Sequence, residues 1–230
     1  RIAARLADER VMIAAYAAGR DLHALTAARV LRKTEAEVTK TDRQLAKAIN
    51  FGLLYGMGAR GLRQYAATNY GVPLTAAEAQ AYKDAFFAAY PALRRWHDRT
   101  RQQLTRSGAG QNPYPARTLG GRVALLRAMK PGRAGGPPFA NVTEALNFPV
   151  QGTGADGLKE AVAVLWERRA ECPGAVPVIF CHDEIVLEVA EADAARAGAW
   201  LRGVMVEALE PVLRPVPVEV EVSIGKTWAG

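Results

Sequence analysis

Apolar positions recur with a helical period along most of the chain and with a strand period at a few short places. The pattern is helical from residue 1 to about 32, with Ala-rich turns interrupted at Gly19 and Asp21 placed to cap a second helix. Between residues 41 and 58, Leu45, Ala48, Ile49, Gly52 and Leu53 follow the i, i+3, i+4, i+7, i+8 spacing of a buried stripe. Thr41 with Gln44 fits a capping box, Asp42 suits the positive end of the helix dipole, and Gly56 and Gly58 supply the stop. Further helices are expected at 58–67, at 75–88 with Thr75 and Glu78 as a second capping box, and at about 92–106. Gly71 and Pro73 mark the turn before the second of these.

The period changes further on. Residues 116–126 read as a hairpin turning at Gly120 and Gly121, and the Pro- and Gly-rich stretch 129–138 reads as a loop. Helix resumes over 141–148, Pro149 kinks or ends it, and 150–170 forms a long amphipathic helix. Two apolar runs, 176–181 and 185–189, are joined by His182, Asp183 and Glu184, which predicts a tight hairpin with carboxylates at its tip. A last helix is expected at 192–209, and 218–224 alternates strictly, as a half-buried strand should. The class is α+β, a mostly helical part followed by strand, strand, helix and strand, with no internal repeats.

Composition narrows the function classes. With 230 residues, 50% of them hydrophobic, the chain can bury one good core or two smaller ones. No apolar run approaches the roughly 20 residues of a membrane span, so no membrane partner is expected. The chain opens at Arg1, without an initiator Met, in what reads as the middle of a helix, and is expected to be a piece of a longer protein. Two cysteines, Cys172 and Cys181, are too few for a disulfide framework or a zinc cluster and point to a reducing cytoplasm. Cys181 ends an apolar run and is read as a buried small hydrophobe.

Charge is unevenly placed. Residues 1–148 hold 23 Lys and Arg against 10 Asp and Glu, a net +13, whereas 149–230 hold 7 against 13, a net −6. The basic part suits a polyanion; the acidic part suits a metal ion or a solvated surface.

The helix at 41–58 concentrates the candidate chemistry. Arg43, Lys47, Phe51 and Tyr55, each four residues after the last, project from the face opposite the buried stripe. Two cations at i and i+4 repel mildly unless an anion lies between them, and rings one turn further on can stack on a sugar or base. A nucleoside triphosphate matches that order; the residues by themselves equally allow a solvated basic face ending in two core rings.

Arg-x-x-x-Lys-x-x-x-Phe-x-x-x-Tyr-Gly, with Asn50 before Phe51, resembles the nucleotide-binding helix in the fingers of family A DNA polymerases, the DNA polymerase I family. The resemblance implies that Arg43 and Lys47 hold the incoming triphosphate, with Lys47 also serving the chemistry. Phe51 would pack on the sugar and base, and Tyr55 would guard the templating position. Gly-Arg-Asp-Leu-His-x-x-Thr-Ala upstream is similar to the family pattern that places His23 near the triphosphate. Asn-Phe-Pro-Val-Gln-Gly-Thr-Gly-Ala-Asp resembles the signature whose amides, here Asn147 and Gln151, reach the minor groove of primer and template, where every correct pair offers acceptors. Many family members place an Arg four residues before that Asn, where this chain has Thr143. His182, Asp183 and Glu184 match the family's His-Asp-Glu motif: Asp183 would ligate Mg²⁺, Glu184 would assist beside it, and His182 would contact the primer terminus.

By the same resemblance, 1–148 would be the fingers and 149–230 an incomplete palm, an antiparallel sheet flanked by helices that lacks its first strand. Arg1 looks like the last residue of an Asp-x-Ser-x-x-Glu-x-Arg segment whose Asp supplies the second carboxylate platform of a two-metal site. The implied function is template-directed DNA synthesis by a longer parent, a monomer when complete, acting on primer-template DNA and deoxynucleoside triphosphates. The chain alone is expected to be inactive. The alternative is a non-catalytic nucleic-acid or nucleotide-binding module.

Overall fold

Asp8, at a left-handed φ of 53°, breaks the first helical stretch where the pattern shows no interruption. The computed structural model, which describes residues 1–109, 112–132 and 137–228, therefore opens with α1 (Ile2–Ala7), α2 (Arg10–Ala17) and α3 (Leu22–Leu31). The extra break has a physical cause in Glu9, which is 2% exposed. Its Oε1 accepts from Val11 N at 3.2 Å, starting α2, and its Oε2 accepts from Ala92 N at 2.7 Å and Leu93 N at 3.4 Å. A buried carboxylate needs such donors, and a helix N-terminus 83 residues away supplies them.

The central helix is α4 (Lys40–Leu54), and its stripe of Leu45, Ala48, Ile49, Gly52 and Leu53 is buried as the spacing predicts. Its capping box is Thr39 with Asp42, two residues earlier than Thr41 with Gln44. The carboxylate of Asp42 accepts from Thr39 N and Oγ1 at 2.9 and 2.8 Å and pairs with Lys33 at 2.8 Å, and only a charged acceptor gains from the helix dipole. Next come α5 (Ala59–Tyr70), closed by Gly71 at φ 66°, α6 (Ala76–Ala89), with its Thr75–Glu78 box, and α7 (Pro91–Ala109).

The expected hairpin is β1 (Tyr114–Arg117) with β2 (Val123–Leu126). Met129 does not begin a loop: β3 (Met129–Lys130) pairs antiparallel with β4 (Phe139–Ala140), which follows the Pro- and Gly-rich stretch in sequence. Residues 133–136 of that stretch lie outside the described residues. Pro149 does not end a helix either; it lies inside the single 26-residue α8 (Val142–Glu167). The residues around it, Leu146, Val150, Gly152 and Thr153, are buried, so packing on both sides outweighs the one backbone donor that proline lacks.

The second hairpin, β5 (Val176–Cys181) with β6 (Glu184–Glu188), turns on His182 and Asp183 alone. Glu184 belongs to the strand, paired with Cys181, and Cys181 is only half-buried, whereas Cys172 is buried. The last helix is α9 (Ala194–Leu213). Residues 218–224 form no strand. Val222 packs on α9, its Cγ1 2.9 Å from where a Cβ on Gly198 would stand, and Pro217 O accepts from Arg1 Nη1 at 3.0 Å. Alternation reports one buried face, which a helix can supply as well as a sheet; a strand also requires a ladder partner.

Two cores result. The first joins α1 to α7 around Ile49, Leu53, Phe86, Tyr90 and Leu93, together with Leu146 and Val150 of α8. The second joins Ala161 and Leu165 of α8 to Ile185 of β6 and Val204 of α9. Thus α8 runs through both, and the fold is α+β, mostly helical with small antiparallel strand pairs. Among the described residues no helix is long and apolar enough to cross a membrane.

Candidate functional site

Burying one face of α4 against the first core leaves Arg43, Lys47, Phe51 and Tyr55 along the other. Phe51 is 48% exposed, which leaves its ring open to stacking; Arg43, Lys47 and Tyr55 are half-buried. Tyr55 is the C-cap residue of α4, and Gly56, at φ 81°, turns the chain away immediately after it.

From α3 two side chains reach this face. Asp21 caps α3, accepting from His23 N at 2.8 Å and Ala24 N at 3.1 Å, and its other oxygen accepts from Arg43 Nε at 2.6 Å. Partial burial pushes its carboxyl up, but the Arg43 guanidinium and the two N–H donors outweigh this and hold it below the ordinary range. His23 lies beside Phe51, ring centroids 5.6 Å apart and tilted by 51°, and its Nδ1 is 2.9 Å from Asn50 Nδ2. Burial lowers its pKa; Asp21 opposes that, while Arg43 and Lys47 reinforce it. The ring is therefore neutral at pH 7.

At the far end of the face, α8 contributes Gln151, whose Nε2 donates to the Tyr55 hydroxyl at 2.9 Å. Asn147 stands one turn earlier on the same helix, half-buried. The first hairpin holds this part of α8. Arg122 donates from Nε to Asp156 Oδ1 at 2.6 Å and from Nη2 to Gly152 O at 3.0 Å, with its guanidinium over the Phe148 ring. Thr153 Oγ1 accepts from Leu119 N at 2.9 Å. A Cβ at Gly152 would stand 2.7 Å from Thr118 Cγ2, so only glycine allows the hairpin this close.

The structure thus brings together Arg43, Lys47, Phe51, Tyr55, His23 and Gln151. His182, Asp183 and Glu184 lie on the exposed end of the second hairpin, and none of their hydrogen bonds or ion pairs reaches α4 among the described residues. His182 takes a left-handed φ of 55° at the turn, and Glu184 Oε1 accepts from Trp228 Nε1 at 3.0 Å. No three His, Cys, Asp or Glu side chains gather as a metal centre among the described residues.

The sequence pattern does not single out Asp21 as the partner of Arg43, or Thr26 and Tyr90 behind Asn50. Thr26 Oγ1 donates to Asn50 Oδ1 at 3.1 Å and meets the Tyr90 hydroxyl at 2.7 Å. The available signal is polarity: Asn50 falls among the buried positions of α4 and Thr26 among those of α3, and buried polar groups require partners.

The family model for DNA polymerase family A matches residues 1–230. DNA polymerase I of Aquifex aeolicus (strain VF5) is 40% identical over 230 residues, which cover 99% of this chain and 37% of that protein. The thermostable DNA polymerase I of Thermus aquaticus is 36% identical over 232 residues, 99% of this chain and 25% of the relative. DNA polymerase I of Pseudomonas aeruginosa is 36% identical over 230 residues, 99% and 23% respectively. The chain therefore spans about a quarter to a third of these relatives. Among solved structures, the POL domain of Pol1 from M. smegmatis, in complex with DNA primer-template and dNTP, matches with a TM-score of 0.77 and 28% identity over 99% of this chain and 37% of that one.

Proposed function

This chain belongs to DNA polymerase family A, and from that premise we propose that it is part of a template-directed DNA polymerase, transferring deoxynucleotides to a primer 3′-hydroxyl. One observation carries the reading: Arg43, Lys47, Phe51 and Tyr55 stand in register along one face of α4, with His23 against Phe51 and Gln151 against Tyr55. Cations, a neutral N–H donor, an exposed ring and a terminal ring follow the order of a nucleotide's phosphates, sugar and base. Lys47 neutralises charge on the triphosphate as bonds change, Phe51 stacks, and Tyr55 with Gln151 borders the templating position.

Asn147 and Gln151 are proposed minor-groove contacts, and His182 a contact to the primer terminus. Residues 1–148 serve as fingers and 149–230 as palm, with α8 spanning the division. Asp183 is the residue that would hold a divalent metal, with Glu184 next to it. A hairpin end carrying one or two carboxylates suits Mg²⁺, which completes its shell from water and phosphates. Such an ion, when bound, supplies charge neutralisation to the phosphates. Unpaired Cys172 and Cys181 fit a cytoplasmic setting, and the complete protein is proposed to act as a monomer on primer-template DNA and dNTPs.

The test is ternary-complex formation on a labelled primer-template whose primer ends in a dideoxynucleotide, with Mg²⁺ and each dNTP in turn. The complementary dNTP is expected to slow dissociation selectively, and DNA affinity is expected to fall steeply with salt, as the basic part displaces counterions. Equal effects of all four dNTPs would leave a non-catalytic nucleic-acid-binding module.

A further inference from the structure

Behind His23 lies a file of buried polar side chains that the proposed nucleotide contacts do not use. Thr26 and Tyr90 are fully buried and Asn50 nearly so. Thr26 Oγ1 gives its only proton to Asn50 Oδ1 (3.1 Å), so at 2.7 Å from Tyr90 it must accept the phenolic proton. With its oxygen engaged, Asn50 presents Nδ2 to His23 Nδ1 at 2.9 Å and donates there. Each donor points the same way, from Tyr90 outward to the imidazole. Turning the Asn50 amide over would make it a donor to Thr26 Oγ1 and leave one fully buried hydroxyl proton, that of Thr26 or of Tyr90, with no acceptor among the described residues.

We propose that Tyr90, Thr26 and Asn50 are a positioning relay that holds His23 as the neutral Nε2–H tautomer, leaving that one N–H as a donor for the phosphates of a nucleotide along α4. The donation to phosphate rests on the proposed nucleotide site; the tautomer rests on the hydrogen bonds alone. An imidazolium would set Nδ1–H against the Asn50 amide donor, so the relay also opposes protonation. The charged groups acting on the ring are Asp21 at the cap of α3, which favours the cation, and Arg43 and Lys47 of α4, which oppose it.

With three histidines in the chain, long-range ¹H–¹⁵N correlation spectra can resolve each ring, and His23→Gln assigns the signal. At pH 7 the wild-type His23 is expected to show a bare Nδ1 and a protonated Nε2. Asn50→Asp puts an acceptor where the amide donates, so His23 should move to Nδ1–H or to the cation. Thr26→Val, which changes no charge, should release the amide and give a mixture of tautomers, and it carries the comparison if Asn50→Asp does not fold. An Nδ1–H ring in the wild type overturns the proposal. Titration with dATP is then expected to shift the His23 Nε2 resonance, with affinity about threefold weaker in Thr26→Val. If the tautomer is as stated but dATP moves neither His23 nor the response of Lys47→Ala, the nucleotide reading fails and the relay stands as a structural device.

Discussion

Gln151 Nε2 donates to the Tyr55 hydroxyl at 2.9 Å, tying the last residue of the α4 face to α8 across 96 positions of sequence. Tyr55 is where α4 ends, and α8 is the helix shared by both cores, so this bond connects the exposed face of α4 to the body that carries the second hairpin. It is also exposed, which limits its contribution to stability but leaves it free to break when something else competes for either partner.

Tyr55→Phe and Gln151→Leu should therefore each cost less than about 1 kcal/mol of stability. A double-mutant cycle by chemical denaturation is expected to return a coupling of about 0.5 kcal/mol. Strict additivity would show that the contact contributes nothing in solution. On primer-template, loss of the bond should alter discrimination between matched and mismatched dNTPs more than overall DNA affinity, measured from dissociation rates of the ternary complexes.

Two helical glycines should respond to alanine in opposite directions. A Cβ at Gly152 of α8 would stand 2.7 Å from Thr118 Cγ2 and 3.2 Å from Arg122 Nη2, whereas at Gly203 of α9 nothing lies within 4 Å. Alanine ordinarily favours a helix over glycine by about 1 kcal/mol. Gly203→Ala should realise that gain as a higher Tm. Gly152→Ala should be destabilising by about 1–3 kcal/mol, because Thr118 is tied into the hairpin by Arg122 N and cannot retreat freely. A rise in Tm for both would mean the hairpin is not seated on α8 as described.

How much of this was legible in sequence follows from which forces were local. The stripe of α4, the Thr75–Glu78 box and the turn at Gly120 and Gly121 depend on neighbours within a few residues, and all are found where the pattern places them. The break at Asp8 is not, because Glu9 takes its partners from Ala92 and Leu93. Pro149 does not end the helix for the same reason: the local cost of proline is real, but the packing of Leu146 and Val150 into the first core outweighs it. Residues 218–224 show the reverse error, a local alternation that finds no ladder partner among the described residues, while Val222 packs on α9 instead. At the site, the periodicity finds Arg43, Lys47, Phe51 and Tyr55; the pairing of Arg43 with Asp21 and the file behind His23 depend on α3 and α6 packing beside α4, which spacing does not encode.

His97 sets a pH limit on stability. It is 4% exposed, its Nε2 donates to Leu54 O at 3.0 Å, and its pKa is lowered to about 4. Burial is the main cause, offset in part by the bond to Leu54. The folded value lies below the unfolded one of about 6.5, so the unfolded state binds the proton first. The contribution of His97 should be steady above about pH 6.5, fall as pH drops towards 4, and lose at most about 3 kcal/mol. Urea denaturation between pH 7 and 4 measures the slope, and His97→Gln, which keeps a donor for Leu54 O, should flatten it. An unchanged slope in that variant would assign the acid sensitivity to other groups.

An ion pair with Asp21 occupies one edge of the Arg43 guanidinium. Arg43 Nε and Asp21 Oδ2 are 2.6 Å apart, both side chains about 40% exposed, whereas Lys47 has no ion pair among the described residues. A triphosphate must displace Asp21 to engage the guanidinium fully, but meets the ammonium without such competition. Lys47→Ala is accordingly expected to weaken dATP binding more than Arg43→Ala does, by about tenfold against a few-fold. Asp21→Asn separates the two roles of that side chain. Asparagine caps a helix as well as aspartate, so α3 should keep its N-terminus, and losing an exposed ion pair should cost less than about 1 kcal/mol of stability. Removing the carboxylate frees Arg43 and takes a negative charge from the Arg43 end of the face. dATP should therefore bind a few-fold more tightly to Asp21→Asn than to the wild type at low ionic strength, and the advantage should shrink as salt screens it. Isothermal titration at two salt concentrations decides the matter: equal or weaker binding by Asp21→Asn would mean that Arg43 serves α3 rather than the nucleotide.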